Sequence, residues 1–286
     1  MSPCIQAFFH APTFTISYLV SEPSAGEAAV IDPVLDFDAK SGHLGTRSAD
    51  AILAAAAQAR LRIAWVLETH LHADHLSAAQ HLKAATGAAL GIGAGTAAVQ
   101  AYFKDVFNAA DLTPDGRQFD RLLHDGERLP LGAAAIEVMD TPGHTPACVS
   151  YRIGDAVFVG DTLFMPDYGT ARTDFPGGDA RTLYRSIRRI LALPPATRLF
   201  MCHDYKAPGR DRFAWETTVA EECERNIHVR DGVSEEDFVV LRTTRDRGLD
   251  MPALILPAIQ VNMRAGGLPP AEANGVVYLK LPLDRL

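Results

Sequence analysis

The sequence contains no stretch of about 18 apolar residues free of a charge or polar break, which excludes a membrane-spanning helix. It has no CxxC pair. The four cysteines (Cys4, Cys148, Cys202, Cys223) are scattered, a pattern of reduced thiols rather than of a disulfide framework. It has no surplus of positive charge: 27 Lys and Arg stand against 35 Asp and Glu, a net charge of −8, so the basic patch that nucleic-acid binding requires is missing. Met1-Ser2-Pro3-Cys4-Ile5 carries neither a basic cluster nor an apolar run, so no secretory signal is expected and the cytoplasm is the expected compartment. Repeats and low-complexity linkers are also absent. What is present, 48% hydrophobic and 22% charged residues in a chain of 286, is the composition of an ordinary soluble globular protein. A chain of this length buries roughly 75% of its unfolded surface without help from disulfides or a structural metal. Any metal it holds therefore serves chemistry.

Period-two apolar patterning over 14–20 and again over 28–33, with a turn across 23–26, predicts a hairpin. An Ala- and Leu-rich segment predicts a helix over 48–63, followed by a short buried strand over 64–69. A second helix is expected over 77–86, closed by Gly87. The stretch 97–125 has mixed character. Three short strands follow at 135–139, 147–153 and 155–159, then a helix over 179–193 that stops at Pro194-Pro195. A strand over 199–202 and a helix over 217–229 complete the pattern. Two groups of strands, each followed by helices, imply two packed sheets with helices outside. The expected organisation is one catalytic domain over 1–230 and a C-terminal extension, 231–286, packed back on it.

The residues that carry chemistry begin with Thr69-His70-Leu71-His72-Ala73-Asp74-His75, an HxHxDH run directly after a strand. Three imidazoles and a carboxylate so close together are costly to bury unpaired, and both groups are common metal ligands. Three further residues each end an apolar strand: His144 in Thr141-Pro142-Gly143-His144, Asp161 in Val159-Gly160-Asp161, and His203 in Met201-Cys202-His203. Singly, each reads as a turn former or cap; together with HxHxDH they form a four-element pattern. By contrast, Gly91-Ile92-Gly93-Ala94-Gly95 lacks GxGxxG spacing and reads as a flexible strand end. Arg185, Arg188 and Arg189 read as the solvated face of one helix. Cys148 and Cys202 read as small buried hydrophobes. His10, His43, His81, His124 and His228 have no ligand-like context.

In these motifs the chain resembles the metallo-β-lactamase fold superfamily, which carries HxHxDH followed by His, Asp and His in that order. The resemblance spans about residues 14–205. It implies an α/β fold, an αβ/βα sandwich of two mixed sheets with outer helices and a metal site at one edge. In dinuclear members, residues matching His70, His72 and His144 hold one metal, those matching Asp74, His75 and His203 the other, and Asp161 matches the bridge.

A narrower resemblance covers nearly the whole chain. Asp161-Thr162-Leu163-Phe164, Arg172-Thr173-Asp174-Phe175, Gly178-Asp179-Ala180-Arg181-Thr182-Leu183-Tyr184, His203-Asp204-Tyr205 and Asn262-Met263-Arg264-Ala265-Gly266 are similar to the persulfide dioxygenase branch. That resemblance implies one Fe(II) per chain, held by His70, His144 and Asp161, the two-histidine, one-carboxylate facial triad of non-haem iron oxygenases. The implied reaction is oxidation of a thiol persulfide such as glutathione persulfide by O2 to sulfite and free thiol. His72, Asp74, His75 and His203 would then orient the ligands, with Tyr205 in the same catalytic set. One departure stands out. Tyr168-Gly169-Thr170-Ala171 precedes Arg172, where the glutathione-using enzymes nearest the mitochondrial form carry GxGRTDF. Arg172 is a candidate for binding a carboxylate of the thiol carrier, with Asp174 beside it; the rival role is a pair with Asp174 that shapes the loop. The expected partners are the persulfide and O2, with no nucleic acid and no membrane, and a homodimer is an admissible assembly. The alternative function is a dinuclear zinc thioester hydrolase of the glyoxalase II type, for which all seven ligands are present.

Overall fold

The computed structural model describes residues 2–22, 24 and 26–285. Two six-stranded sheets face each other. The first joins, in spatial order, β1 (Cys4–His10), β2 (Thr15–Glu22), β3 (Glu27–Ile31), β6 (Arg62–Leu67), β8 (Ala89–Gly93) and β9 (Arg121–Leu123). The second joins β10 (Arg128–Leu131), β11 (Ala134–Asp140), β12 (Val149–Ile153), β13 (Ala156–Phe158), β14 (Arg198–Phe200) and β15 (Glu216–Thr218). A small third sheet has the order β5 (His43–Gly45), β4 (Val34–Asp38), β7 (Leu76–Ser77). Among the described residues the helices are α1 (Arg47–Gln58), α2 (Ala79–Thr86), α3 (Thr96–Phe107), α4 (Ala180–Leu191), α5 (Val219–Arg225), α6 (Glu235–Asp246) and α7 (Ile255–Asn262).

The layering follows from the alternation of side chains along each strand. In β2, Ile16, Tyr18 and Val20 enter the core between the sheets, where they meet Leu67, Val138, Tyr151, Phe158 and Phe200. Leu19 faces the other way, into the core shared with α1, α2 and α3. On the far side of the second sheet, Val157 and Leu199 pack against Leu183, Ile187 and Ile190 of α4 and Phe238 of α6. Each such buried aliphatic contributes about 1.5–3 kcal/mol. Two mixed sheets between two helical layers are the expected αβ/βα sandwich.

Several boundaries differ from the sequence reading, each for a local reason. The first helix ends at Gln58, not 63, because Arg60 takes a left-handed φ of +56° and turns the chain into β6. The second begins at Ala79, since Ser77 is paired with Val34 in the small sheet; Gly87 at φ +73° closes it as expected. The helix expected over 217–229 is only Val219–Arg225. Thr217 and Thr218 belong to β15, and Asn226 Oδ1 takes the amides of His228 and Val229. The mixed stretch contains α3 and β9. The turn expected over 23–26 falls partly on Pro23 and Ala25, outside the described residues. Strand β1 and helices α6 and α7 have no counterpart in the sequence reading. Within 231–286, α6 packs on α4, with Tyr184 and Phe238 rings 5.6 Å apart, and α7 inserts Ile259 into the core beneath the first sheet.

Helix α5 carries a buried acid. Glu222 accepts a hydrogen bond from Asn226 Nδ2 (2.6 Å), and its Oε1 has no partner. Burial, helped by Glu221 and Asp167, pushes its pKa up to about 8. The folded state therefore favours the protonated acid, and the stability this contributes is lost as pH rises from the ordinary carboxylate range toward 8. Glu222→Gln should melt like the parent at pH 5 and about 5 °C or more above it at pH 8.5. Equal melting differences at both pH values would show that Glu222 is ionised in the fold.

β3 runs parallel to β6, and β13 to β14. The segments that follow these four strands carry Asp32, residues 69–75, Asp161 and His203. There the sheets are tied together: Val149 N–H donates to the Thr69 carbonyl (2.9 Å) and Ile16 N–H to the Cys202 carbonyl (2.7 Å).

Candidate metal centre

His70, His144 and Asp161, far apart in sequence, meet at this edge. His70 Nε2 lies 4.0 Å and His144 Nε2 3.8 Å from Asp161 Oδ2, too long for hydrogen bonds. The outer nitrogens of both rings are occupied. His70 Nδ1 is 3.0 Å from Thr69 Oγ1, whose own hydroxyl donates to Asp32 Oδ2 at 2.9 Å, so the imidazole Nδ1–H is the donor. His144 Nδ1–H donates to the Arg172 carbonyl (2.8 Å). Both rings are thereby left with an Nε2 lone pair turned toward Asp161. Burial, then the neighbouring imidazoles, holds the His70 pKa well below the ordinary histidine range, so the ring is the neutral form that binds metals. Gly143 sets up His144. At φ +137° a side chain is strained, and a Cβ would come within 2.3 Å of the Leu183 backbone.

His72 points elsewhere. Its Nε2 is 3.0 Å from Asp32 Oδ1 and 3.2 Å from Glu68 Oε2. Burial lowers its pKa, but the two acids outweigh that and raise it well above the ordinary value. Asp32 also accepts the Thr69 amide at 2.7 Å, and Glu68 accepts from the Ser77 hydroxyl. Asp74, His75 and His203 form a neighbouring group with the His72 ring. His203 Nε2 is 3.2 Å from Asp74 Oδ2 and 3.4 Å from Asp161 Oδ1, and His75 Nδ1 is 3.6 Å from Asp74 Oδ1. Burial and the His72 charge hold His75 down at about 4.

The donors fit a cation. His72 Nδ1, Asp74 Oδ2, His75 Nε2, Asp161 Oδ1 and both nitrogens of His203 are buried with no hydrogen-bond partner. So many orphaned polar atoms in one place is far outside what a folded interior tolerates, and all are nitrogen or carboxylate oxygen, the donors of a transition-metal site. His70, His144 and Asp161 can share one ion. Asp74, His75, His203 and the His72 ring form a second candidate set.

The site opens into a cavity of about 370 Å³. Asp74, His144 and Asp161 sit on its floor; Phe14, Phe164, Tyr168, Phe175 and Tyr205 supply aromatic walls. Tyr205 stacks on His203, rings 5.6 Å apart and 13° from parallel. Arg172 is on the wall too, with its guanidinium bound twice by Asp174 (2.6 and 2.7 Å) and once by the Asp250 carbonyl (2.6 Å). Cys148 lies against Thr145, and burial pushes its thiol up to about 12; burial likewise pushes Cys202 up, helped by the carboxylates of Asp32 and Asp161.

The structure thus brings together His70, His72, Asp74, His75, His144, Asp161, His203 and Tyr205, with Arg172 and Asp174 at the rim. It adds residues that the sequence reading left unassigned. Asp32 and Glu68 hold His72; their signal is an acid at the end of an apolar strand, just before Pro33 and just before the HxHxDH turn. Asn262, noted only as part of a motif, donates through Nδ2 to the carbonyls of His72 and His75 (2.8 Å each) and accepts the Ser77 amide (2.8 Å). Arg242 and Asp246 of α6 grip Thr170 and Thr173, flanking the carbonyl that orients His144.

Residues 11–203 match the family model of the metallo-beta-lactamase superfamily. The chain is 56% identical to "Probable metallo-hydrolase" of Burkholderia pseudomallei (strain 1710b), with 99% of each chain covered. It is 53% identical to "Beta-lactamase hydrolase-like protein" of Agrobacterium fabrum, of whose length it spans 65%. It is 45% identical to "Glyoxylase B2" of Dictyostelium discoideum (99% and 97% covered) and 29% identical to human mitochondrial "Persulfide dioxygenase ETHE1" (92% and 88%). Among solved structures, ETHE1 from Myxococcus xanthus superposes with a TM-score of 0.73 at 31% identity, covering 92% of this chain and 99% of that one.

Proposed function

We propose, for a chain that belongs to the metallo-β-lactamase superfamily, that it is a non-haem iron(II) persulfide dioxygenase. The reaction balances as R–S–SH + O2 + H2O giving R–SH, sulfite and two protons, with the terminal sulfur oxidised and O2 reduced. The observation that carries this reading is how the histidines divide. His70 and His144 offer Nε2 lone pairs beside Asp161 on the cavity floor, whereas His72 Nε2 is committed to Asp32 and Glu68. Two imidazoles and one carboxylate leave positions open for small reactants, and the likeness to persulfide dioxygenases supports the same assignment. One iron(II) held there supplies redox chemistry and a common place for sulfur and O2. The chain does the rest: Asp32 and Arg172 fix the imidazoles through Thr69 and a backbone carbonyl, aromatic walls exclude bulk water, and Tyr205 buttresses His203.

A second reading, a dinuclear zinc thioester hydrolase, draws on the orphaned atoms of Asp74, His75, His203 and Asp161 and on the likeness to the Dictyostelium protein. Zinc has no redox chemistry and only activates water, so an oxygen electrode separates the two. With Fe(II) and glutathione persulfide the protein should consume O2 and release sulfite in about equal amounts, and do neither with glutathione or sulfide alone. Fast cleavage of S-lactoylglutathione under argon, with no O2 uptake on the persulfide, would establish the hydrolase instead.

A further inference from the structure

We propose that Arg245, in the last turn of α6, binds a carboxylate of the thiol carrier and fixes which end of the substrate enters the cavity. Three guanidiniums lie on the cavity wall: Arg172, Arg242 and Arg245. The first two are spent inside the protein. Arg172 is bound by Asp174 and the Asp250 carbonyl. Arg242, only 1% exposed, is bound by Asp246 and the Thr170 carbonyl. Arg245 has no acid, carbonyl or amide partner for its side chain among the described residues, and Asp250, a carboxylate on the same wall, makes no ion pair with it. An unpaired guanidinium at a cavity mouth, in a chain of net charge −8, is a ready site for an anion that arrives with the ligand.

The charge pattern along the cavity gives direction. The iron set on the floor, His144 and Asp161 among it, is the place for the sulfur, while Arg245, the guanidinium on the wall without a partner, attracts a carboxylate. A carrier whose carboxylate lies several bonds from its sulfur is therefore drawn in sulfur first, with a carboxylate left at the wall. The cavity of about 370 Å³ suits a carrier of tripeptide size. This inference rests on the proposed function only in taking a carboxylate-bearing thiol as the carrier.

The test is calorimetric binding of S-methylglutathione, which cannot react, and of its diethyl ester, to the iron-loaded protein and to Arg245→Gln. Affinity for S-methylglutathione should fall roughly tenfold or more, the loss expected for one charge-assisted contact. The ester should bind both proteins alike, and Arg245→Lys should recover part of the loss. Arg247→Gln, just past the end of the same helix and not among the cavity's lining residues, should bind as the parent does. Equal affinity of parent and Arg245→Gln for S-methylglutathione, or no binding to the parent at all, would overturn the assignment. If instead the Arg245 effect holds but the parent takes up no O2 on glutathione persulfide, the carboxylate contact stands and the dioxygenase reading falls.

Discussion

Replacing His70, His144 or Asp161 by alanine should each lower bound metal below about one tenth of the parent's content and activity by at least about a thousandfold, while His72→Ala and His203→Ala keep most of the metal. The three ligand atoms lie within 4.8 Å of one another, so each loss removes a third of the donor set. His72 lies behind that set. Its Nε2 is held by two buried acids, and losing it disturbs the orientation of its neighbours, an effect of about 10–100-fold on affinity in comparable sites. Elemental analysis of the five variants after dialysis, with circular dichroism as a check on folding, reads this directly. If His72→Ala loses metal as completely as His70→Ala, the orphaned His72 Nδ1 is itself a ligand, and the centre is of the hydrolase type.

Asp32→Ala should be among the most damaging substitutions outside the ligand set, destabilising the fold by about 3–5 kcal/mol. Its carboxylate accepts from the Thr69 amide (2.7 Å), the Thr69 hydroxyl (2.9 Å) and His72 Nε2 (3.0 Å), all buried. Removing it strands three donors at once and leaves the His72 charge with only Glu68, whose own pKa burial raises. Denaturant unfolding should show the loss as a shifted midpoint with an unchanged slope, and the melting temperature should fall by roughly 6–20 °C. A loss under about 1 kcal/mol would mean that water reaches these groups and that the network is not sealed. Thr69 transmits the damage to His70, so metal affinity should fall together with stability.

What was legible in the sequence follows from distance along the chain. HxHxDH is local, and three strand ends carry His144, Asp161 and His203, so these seven side chains can be read by eye. Their supports cannot. Asp32 reaches His72 across 40 residues, and Asn262 reaches the His72 carbonyl across 190. No periodicity reports such a pairing. Helix ends failed for a related reason. Alanine and leucine continue the helical pattern past Gln58, but β6 must start at Arg62 to pair with Glu27, so tertiary pairing overrides local preference. Arg172 shows the limit at the rim, since its residue type suits both a substrate carboxylate and Asp174, and only the folded chain brings its donors to their partners.

The bonds that Asn262, Arg242 and Asp246 make with the ligand loops also bear on how such proteins diverge. Asn262 is held to two histidine carbonyls, and α6 to the loop that aims His144, yet neither touches the place where a metal would sit. Two relatives with identical ligands can therefore differ in metal preference or turnover through changes confined to the last fifty residues. A catalytic region exchanged between them without its own C-terminal helices would arrive with the ligands intact and the fasteners mismatched. Drift in this segment, which lies outside both candidate ligand sets, would retune the site without touching its donors.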